Sequence, residues 1–203
     1  MLLKRFQDCL ICVPRIRALQ QSLEHWNLID IGSGAGLPAV ALAIAMPDWQ
    51  VISVESTGKK AQFQLLAMDE LSLTNFQVLN MRAEILAHHV QYREKFAVVT
   101  TRALARTHML AEICLPFVRK GGELLAWKGP RLDEELKTAR KTIETLGGRI
   151  EEQIQYNLAD YAPSLGIEAA EDTDSRLLVV KKTASTDSKY PRPYSEIKHK
   201  PLE

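Results

Sequence analysis

A short apolar run, Asn27-Leu28-Ile29-Asp30-Ile31, empties directly into Gly32-Ser33-Gly34-Ala35-Gly36-Leu37-Pro38, and an Ala/Leu/Ile-rich stretch follows as far as Met46. Few folds use that arrangement. A run this apolar, closed by glycine, reads as a strand covered on both faces, which belongs to a parallel sheet. Glycine lets the backbone turn sharply and approach a ligand with no Cβ in the way. The helix predicted over 36–46, stopped by Pro47, presents its positive end and unpaired N–H groups to the same spot. Strand, glycine turn and helix together make a ligand-binding β–α unit, so the rest of the chain should alternate in the same way.

The pattern supports that expectation. Strands are predicted over 51–55, 76–79, 96–100 and 123–127. Helices are predicted over 59–71, where Phe63, Leu66 and Glu70 fall at three- and four-residue steps, over 104–115, and over 133–146. Gly147-Gly148 supplies a C-cap signal after the last. Two further strands, 149–156 and 175–181, flank a loop with no helical period. Residues 1–26 read as a helical segment broken at Pro14, residues 27–182 as one domain, and residues 183–203 as a basic tail that is flexible or orders on contact. Alternating strands and helices give an α/β layered sheet. Ligands of such sheets sit beyond the carboxyl ends of the strands, near the switch in strand order.

Chemistry is therefore sought at the strand ends. The loop spacing is G-x-G-x-G, with Leu37 where a dinucleotide fingerprint has its third glycine, and this demotes NAD and FAD. Asp30, just before the glycines, disfavours a pyrophosphate and suits a cationic ligand such as a sulfonium amino acid. Glu55 ends the second strand, where a carboxylate accepts hydrogen bonds from ribose hydroxyls. Lys59 and Lys60 open the next helix, an unfavourable place for cations unless they face an anion. Asn80-Met81-Arg82-Ala83-Glu84, after the third strand, suits an adenine edge. Arg102 ends the fourth strand, and its fixed donors suit phosphate, carboxylate or guanine O6. Lys128 follows Trp127 after the fifth.

Composition excludes several alternatives. The 203 residues are 46% apolar and 25% charged, which is ordinary globular composition. Cys9, Cys12 and Cys114 are too few for a disulfide framework. The Cys9–Cys12 pair lies in an apolar run, so no metal site is expected. The N-terminus lacks a signal-peptide h-region, and the longest apolar stretch, Leu37 to Met46, is too short to span a bilayer. Taken as a total, a net charge of +1 argues against a polyanionic partner, but its distribution is uneven: residues 95–141 carry +5, residues 181–203 carry +3 and residues 151–174 carry −7. The total excludes a uniformly basic protein, not one with a basic side.

Taken in order, these motifs resemble class I S-adenosylmethionine-dependent methyltransferases. More narrowly, they resemble the bacterial small-subunit ribosomal RNA guanine-N7 methyltransferase family, also called glucose-inhibited division protein B. The resemblance rests on the loop Asp30–Pro38, the segments Glu55–Lys60, Met81–Glu84, Thr100–Ala105 and Trp127–Pro130, the strand Leu177–Lys182 and the tail Tyr190–Leu202. It implies a Rossmann-like fold: a seven-stranded, mostly parallel sheet with helices on both faces and a C-terminal antiparallel strand. It implies transfer of a methyl group from S-adenosylmethionine to guanine N7 in 16S ribosomal RNA or a small-subunit precursor, by a cytoplasmic monomer with no membrane partner. Carried over by position, Gly32, Gly34, Gly36, Leu37, Glu55, Ala83, Glu84 and Arg102 hold the cofactor. Arg102 also belongs to the catalytic site, and Lys59, Lys60 and Lys128 face RNA. Ala39 stands where the family usually has Gly, and Thr101 where it has Ser. The family also carries a longer helical part before the segment around Asp8.

Methylating N7 requires no general base, because N7 has a lone pair and no proton. No acid–base dyad is evident at any strand end, in keeping with that chemistry, and His88-His89 reads as an exposed loop pair. Two other readings share the glycine loop: a methyltransferase for another substrate, and an RNA-binding module without activity.

Overall fold

The computed structural model describes residues 2–20, 26–158 and 175–202. Two short helices, α1 (Leu2–Leu10) and α2 (Val13–Gln20), precede the sheet. The break between them falls just before Pro14, which sits in the first turn of α2, where its missing N–H costs nothing. The strands are β1 (Asn27–Ile31), β2 (Gln50–Val54), β3 (Phe76–Leu79), β4 (Phe96–Arg102), β5 (Val118–Lys128), β6 (Gly148–Tyr156) and β7 (Ser175–Lys182). They form one seven-stranded sheet in the order β3-β2-β1-β4-β5-β7-β6. β1 to β5 pair in parallel, and β7 is inserted antiparallel between β5 and β6. The expected α/β architecture is thus present.

The strands read as continuous apolar runs because both sheet faces are covered. Ile29, Val99 and Leu124 belong to one buried cluster, while their neighbours Leu28, Val98 and Leu125 belong to the other. Helices α3 (Ala39–Ala45), α4 (Gly58–Glu70), α5 (Ala83–Leu86), α6 (Thr107–Cys114) and α7 (Leu132–Thr145) connect the strands. α3 begins three residues later than predicted. Gly32, Gly34 and Gly36 all have positive φ, at 75°, 60° and 91°, so the helix cannot start until they are passed.

Two features refine the expectations. In α4, Phe63 and Leu66 are 55% and 59% exposed, and the helix buries Ala61 and Gln64. Gln64 decides the rotation, because its Nε2 donates to Gly34 O at 2.8 Å and its Oε1 accepts from the Ser53 hydroxyl. The tail is also docked along residues 183–202. Arg93 donates to the carbonyls of Thr186, Asp187 and Tyr190 at 2.8, 2.9 and 2.8 Å. Arg192 grips Glu112 of α6 with two bonds of 2.7 Å. A last helix, α8 (Tyr194–His199), buries Ile197. At the tail's root Lys182 is buried, with Glu94 at 3.1 Å and Leu115 O at 2.8 Å. Burial pushes its pKa down to about 8. No described helix is long and apolar enough to cross a membrane.

Candidate active site

The glycine loop is held from three sides. Gly32 and Ser33 donate to Val54 O at the end of β2, so the loop leans over the second strand. Gly34 N donates to Glu55 Oε2 at 2.9 Å, while Glu55 Oε1 accepts from Thr57 N at 2.7 Å. Glu55 therefore ties the loop to the start of α4. A carboxylate offers about four acceptor positions, so two backbone bonds leave capacity for a ligand. Asp30 supports the loop from behind. It is fully buried, accepts from Thr100 Oγ1 at 2.7 Å, and is bonded by the Ser33 hydroxyl. Burial raises its pKa to about 6, against the pull of those hydroxyls and of Arg102. Asp30 thus shapes the loop and does not meet a ligand directly.

Two clefts open beyond the strand ends. The first, about 370 Å³, lies over β1, β2 and β3, and Gly32, Glu55, Lys60, Ala83 and Glu84 line it. Its volume falls within the roughly 300–1,000 Å³ usual for small-molecule sites. Tyr194 from α8 closes one side. The Arg82 guanidinium lies 4.9 Å from the Tyr194 ring centroid and also pairs with Glu84. A Cβ on Gly32 would meet Leu104 Cδ1 at 2.6 Å, and one on Gly36 would meet Val40 Cγ2 at 2.8 Å. Gly32 must be glycine for the cleft wall, Gly36 for the loop's own packing. Gly34, Gly36, Leu37 and Lys59 do not line this cleft.

The second cleft, about 490 Å³, lies over β4 and β5. Arg102 and Lys128 both line it, and both are paired. Arg102 Nη2 meets Asp8 Oδ2 at 2.8 Å, and Lys128 Nζ meets Glu135 Oε2 at 2.6 Å. Glu135 also accepts from Thr107 N at 2.9 Å and from the Thr107 hydroxyl at 2.6 Å. Burial would raise the Glu135 pKa, but the Lys128 and Thr107 bonds outweigh it and hold it low. Ala103 and Leu104 line both clefts and form the wall between them. Ala103 has φ +54°, a left-handed conformation that costs a side-chain-bearing residue about 1–2 kcal/mol. The strained residue sits where the two clefts meet.

The structure thus gathers Gly32, Glu55, Lys60, Ala83 and Glu84 in one cleft and Arg102 and Lys128 in the next. It adds Asp8, Gln64, Glu135, Tyr156 and Tyr194, which sequence reasoning missed. Gln64 alone left a trace, a polar residue beside Ala61 on the buried side of a helix. The cysteines are all buried, and burial raises their pKa values. No cluster of metal-ligating side chains occurs among the described residues.

Comparisons with known proteins agree with this geometry. Residues 1–158 match the family model GidB, described as rRNA small subunit methyltransferase G. The chain is 38% identical over 201 residues to ribosomal RNA small subunit methyltransferase G of Clostridium botulinum (strain Okra / Type B1), covering 98% of this chain and 77% of that protein. It is 37% identical to the protein of the same name from Leuconostoc citreum (strain KM20), covering 98% and 78%. Among solved structures it is similar to a mutant of the 16S rRNA (adenine(1408)-N(1))-methyltransferase from Catenulisporales acidiphilia, with TM-score 0.59, 13% identity and coverage of 86% and 92%. It is also similar to geranyl diphosphate C-methyltransferase from Streptomyces coelicolor A3(2), with TM-score 0.56, 11% identity and coverage of 84% and 79%. At such identities the structural likeness concerns the fold alone.

Proposed function

The chain belongs to the rRNA small subunit methyltransferase G family, and we propose that it transfers a methyl group from S-adenosylmethionine to N7 of a guanine in 16S ribosomal RNA. The observation that carries this reading is the pair of clefts sharing the wall Ala103–Leu104. One cleft has the loop and carboxylate of a nucleoside site. The other has the cations and the open volume of a base-and-phosphate site.

The residues present fit the cofactor. Gly32 lets backbone approach it, Glu55 accepts from the ribose hydroxyls, and Ala83 and Glu84 face the adenine. Gly34, Gly36 and Leu37 hold the loop's shape. S-adenosylmethionine, when bound, supplies a methyl group already activated on a sulfonium. The protein's task is then positioning, which by itself can remove about 7–11 kcal/mol of a barrier. Arg102, at the end of β4, orients guanine O6, an RNA phosphate or the cofactor carboxylate, and acts as no base. N7 carries no proton, and the methylated ring becomes a cation. Asp8 and Glu135 place two carboxylates in the substrate cleft, so Arg102 and Lys128 do not oppose that charge unscreened. Lys59, Lys60 and Lys128 face the RNA backbone. We take the protein to act as a monomer in the cytoplasm, where a ribosomal RNA substrate is met.

The test is methyl transfer to small subunits isolated from cells lacking the gene, followed by mass spectrometry of the digested RNA. One N7-methylguanosine per 16S molecule is expected. No binding of S-adenosylmethionine by calorimetry would overturn the enzyme reading. Methylation of another acceptor, with an affinity indifferent to salt, would replace the RNA substrate.

A further inference from the structure

We propose that Asp8 is a positioning residue for Arg102, which makes α1 a working part of the substrate cleft. The inference rests on the reading of Arg102 given above.

Asp8 holds three strand ends at once. Its Oδ2 forms an ion pair with Arg102 Nη2 at the end of β4, at 2.8 Å. Its Oδ1 accepts from the Tyr156 hydroxyl at the end of β6. Its backbone carbonyl accepts from Trp127 Nε1 on β5 at 2.8 Å. All four residues line the same cleft. Among the described residues, Asp8 is the one hydrogen-bonding or ion-pairing partner of Arg102. Arg102 is a long side chain with many rotamers to lose on being fixed. Its neighbour Ala103 is already committed to a strained conformation. The aim of its guanidinium within the substrate cleft therefore depends on Asp8.

Asp8 does not itself read the base. Only 12% of its side chain is exposed, and both carboxylate oxygens are engaged. Burial and the Asp8 bond raise the Tyr156 pKa, so the phenol stays protonated and keeps donating. The contacts form a relay: Tyr156 fixes Asp8, and Asp8 fixes Arg102.

The experiment compares Asp8→Asn, Arg102→Ala and the double variant, measuring kcat, KM for small subunits, cofactor Kd and Tm. Asp8→Asn retains shape and the carbonyl that meets Trp127. It should lower kcat about tenfold to a hundredfold, the scale of a misplacement near 1 Å, while cofactor Kd stays within about twofold. If Asp8 acts through Arg102, Asp8→Asn does nothing more in the Arg102→Ala background, as a double-mutant cycle reads directly. Effects that multiply, or a fall in Tm with kcat unchanged, overturn the inference. The Arg102 Nε–H resonance, assigned by its loss in Arg102→Ala, gives a readout independent of turnover. It should be ordered in the parent and averaged in Asp8→Asn, and equal order in both overturns the inference. If Asp8→Asn does not fold, Tyr156→Phe loosens the same relay from its far end, and a kcat equal to the parent's is the refuting result. A parent protein that transfers no methyl group counts against the proposed function instead, and the resonance still decides the role of Asp8.

Discussion

Replacing Gly32 by alanine tests the cofactor cleft at its most constrained point. Two costs arise. Gly32 has φ +75°, and an L side chain in that region costs about 1–2 kcal/mol. Its new Cβ would lie 2.6 Å from Leu104 Cδ1, where carbon atoms prefer about 3.5–4.0 Å. Leu104 must swing aside by about 1 Å, at about 0.5–1.5 kcal/mol for an off-rotamer side chain. Gly34 is the control. It too has positive φ, at 60°, but a Cβ there meets nothing within 4 Å. Both variants should lose stability, Gly32→Ala by about 2–3 kcal/mol and Gly34→Ala by about 1–2. For a chain of this size each kcal/mol lowers Tm by about 2–4 °C. The affinities should separate further, because Leu104 lines both clefts. Calorimetry should show S-adenosylmethionine binding about tenfold weaker to Gly32→Ala than to Gly34→Ala. Adding Leu104→Ala to Gly32→Ala should restore affinity without restoring Tm. Equal affinity losses at the two glycines, or no rescue, would refute the assignment of Gly32 and Leu104 to the cleft wall.

Two further outcomes follow from burial. Asp30 has its folded pKa raised to about 6 from 3.8, so the folded state binds that proton more tightly than the unfolded one. The group's favourable contribution is complete below about pH 4 and is lost as pH rises through about 6. The difference is about 3 kcal/mol, at 1.36 kcal/mol per unit. Asp30→Asn should therefore gain on the parent protein between pH 4.5 and pH 7 in denaturant melts, and an unchanged gap would show that no buried carboxylate ionises there. The three thiols are fully buried, with raised pKa values, and thiolate is the reactive form. An aromatic disulfide reagent should titrate none of them quickly in the folded protein and three in urea; one fast thiol at Cys9 or Cys12 would contradict their packing.

What was legible in the sequence was whatever one strand or one loop determines. β1 and β3 fall at the residues that apolar runs indicate, because a strand covered on both faces leaves a dense signal over few residues. The glycine loop and Glu55 were legible because their chemistry is local. α4 forms where its spacing indicates, but which face it buries was not legible. Phe63 and Leu66 have helical spacing, but Gln64 must face inward to bond Gly34 O and Ser53, and that tertiary demand sets the rotation. α5 is too short to show a period. The tail's order depends on Arg93 and Glu112, which lie 97 and 80 positions from their partners Tyr190 and Arg192. Asp8 was invisible for the same reason: a lone acid in a helix does not announce an arginine on β4.

The charge pattern changes meaning once the pairs are known. Within residues 95–141 the anions Glu112, Glu123, Asp133 and Glu135 pair with Arg192, Arg15, Arg176 and Lys128. Arg102 is answered by Asp8. Arg102 and Lys128, which line the substrate cleft, are thus matched within the fold, while Arg131 at its mouth is not. Arg106 and Arg131, near the cleft's outer edge, are exposed and make no ion pair or side-chain hydrogen bond among the described residues, and the same is true of Lys59 and Lys60. Affinity for a polyanion comes from cations that release counterions, each adding about 0.7–0.9 to the salt slope. Those are the rim cations. In the proposed reaction the matched pairs inside contribute little to that slope, but they spare a newly methylated, cationic guanine the repulsion of unpaired arginine and lysine. On that reading, a cleft balanced within and basic at its edge separates two demands: holding an anionic chain by its backbone and letting positive charge develop on the base.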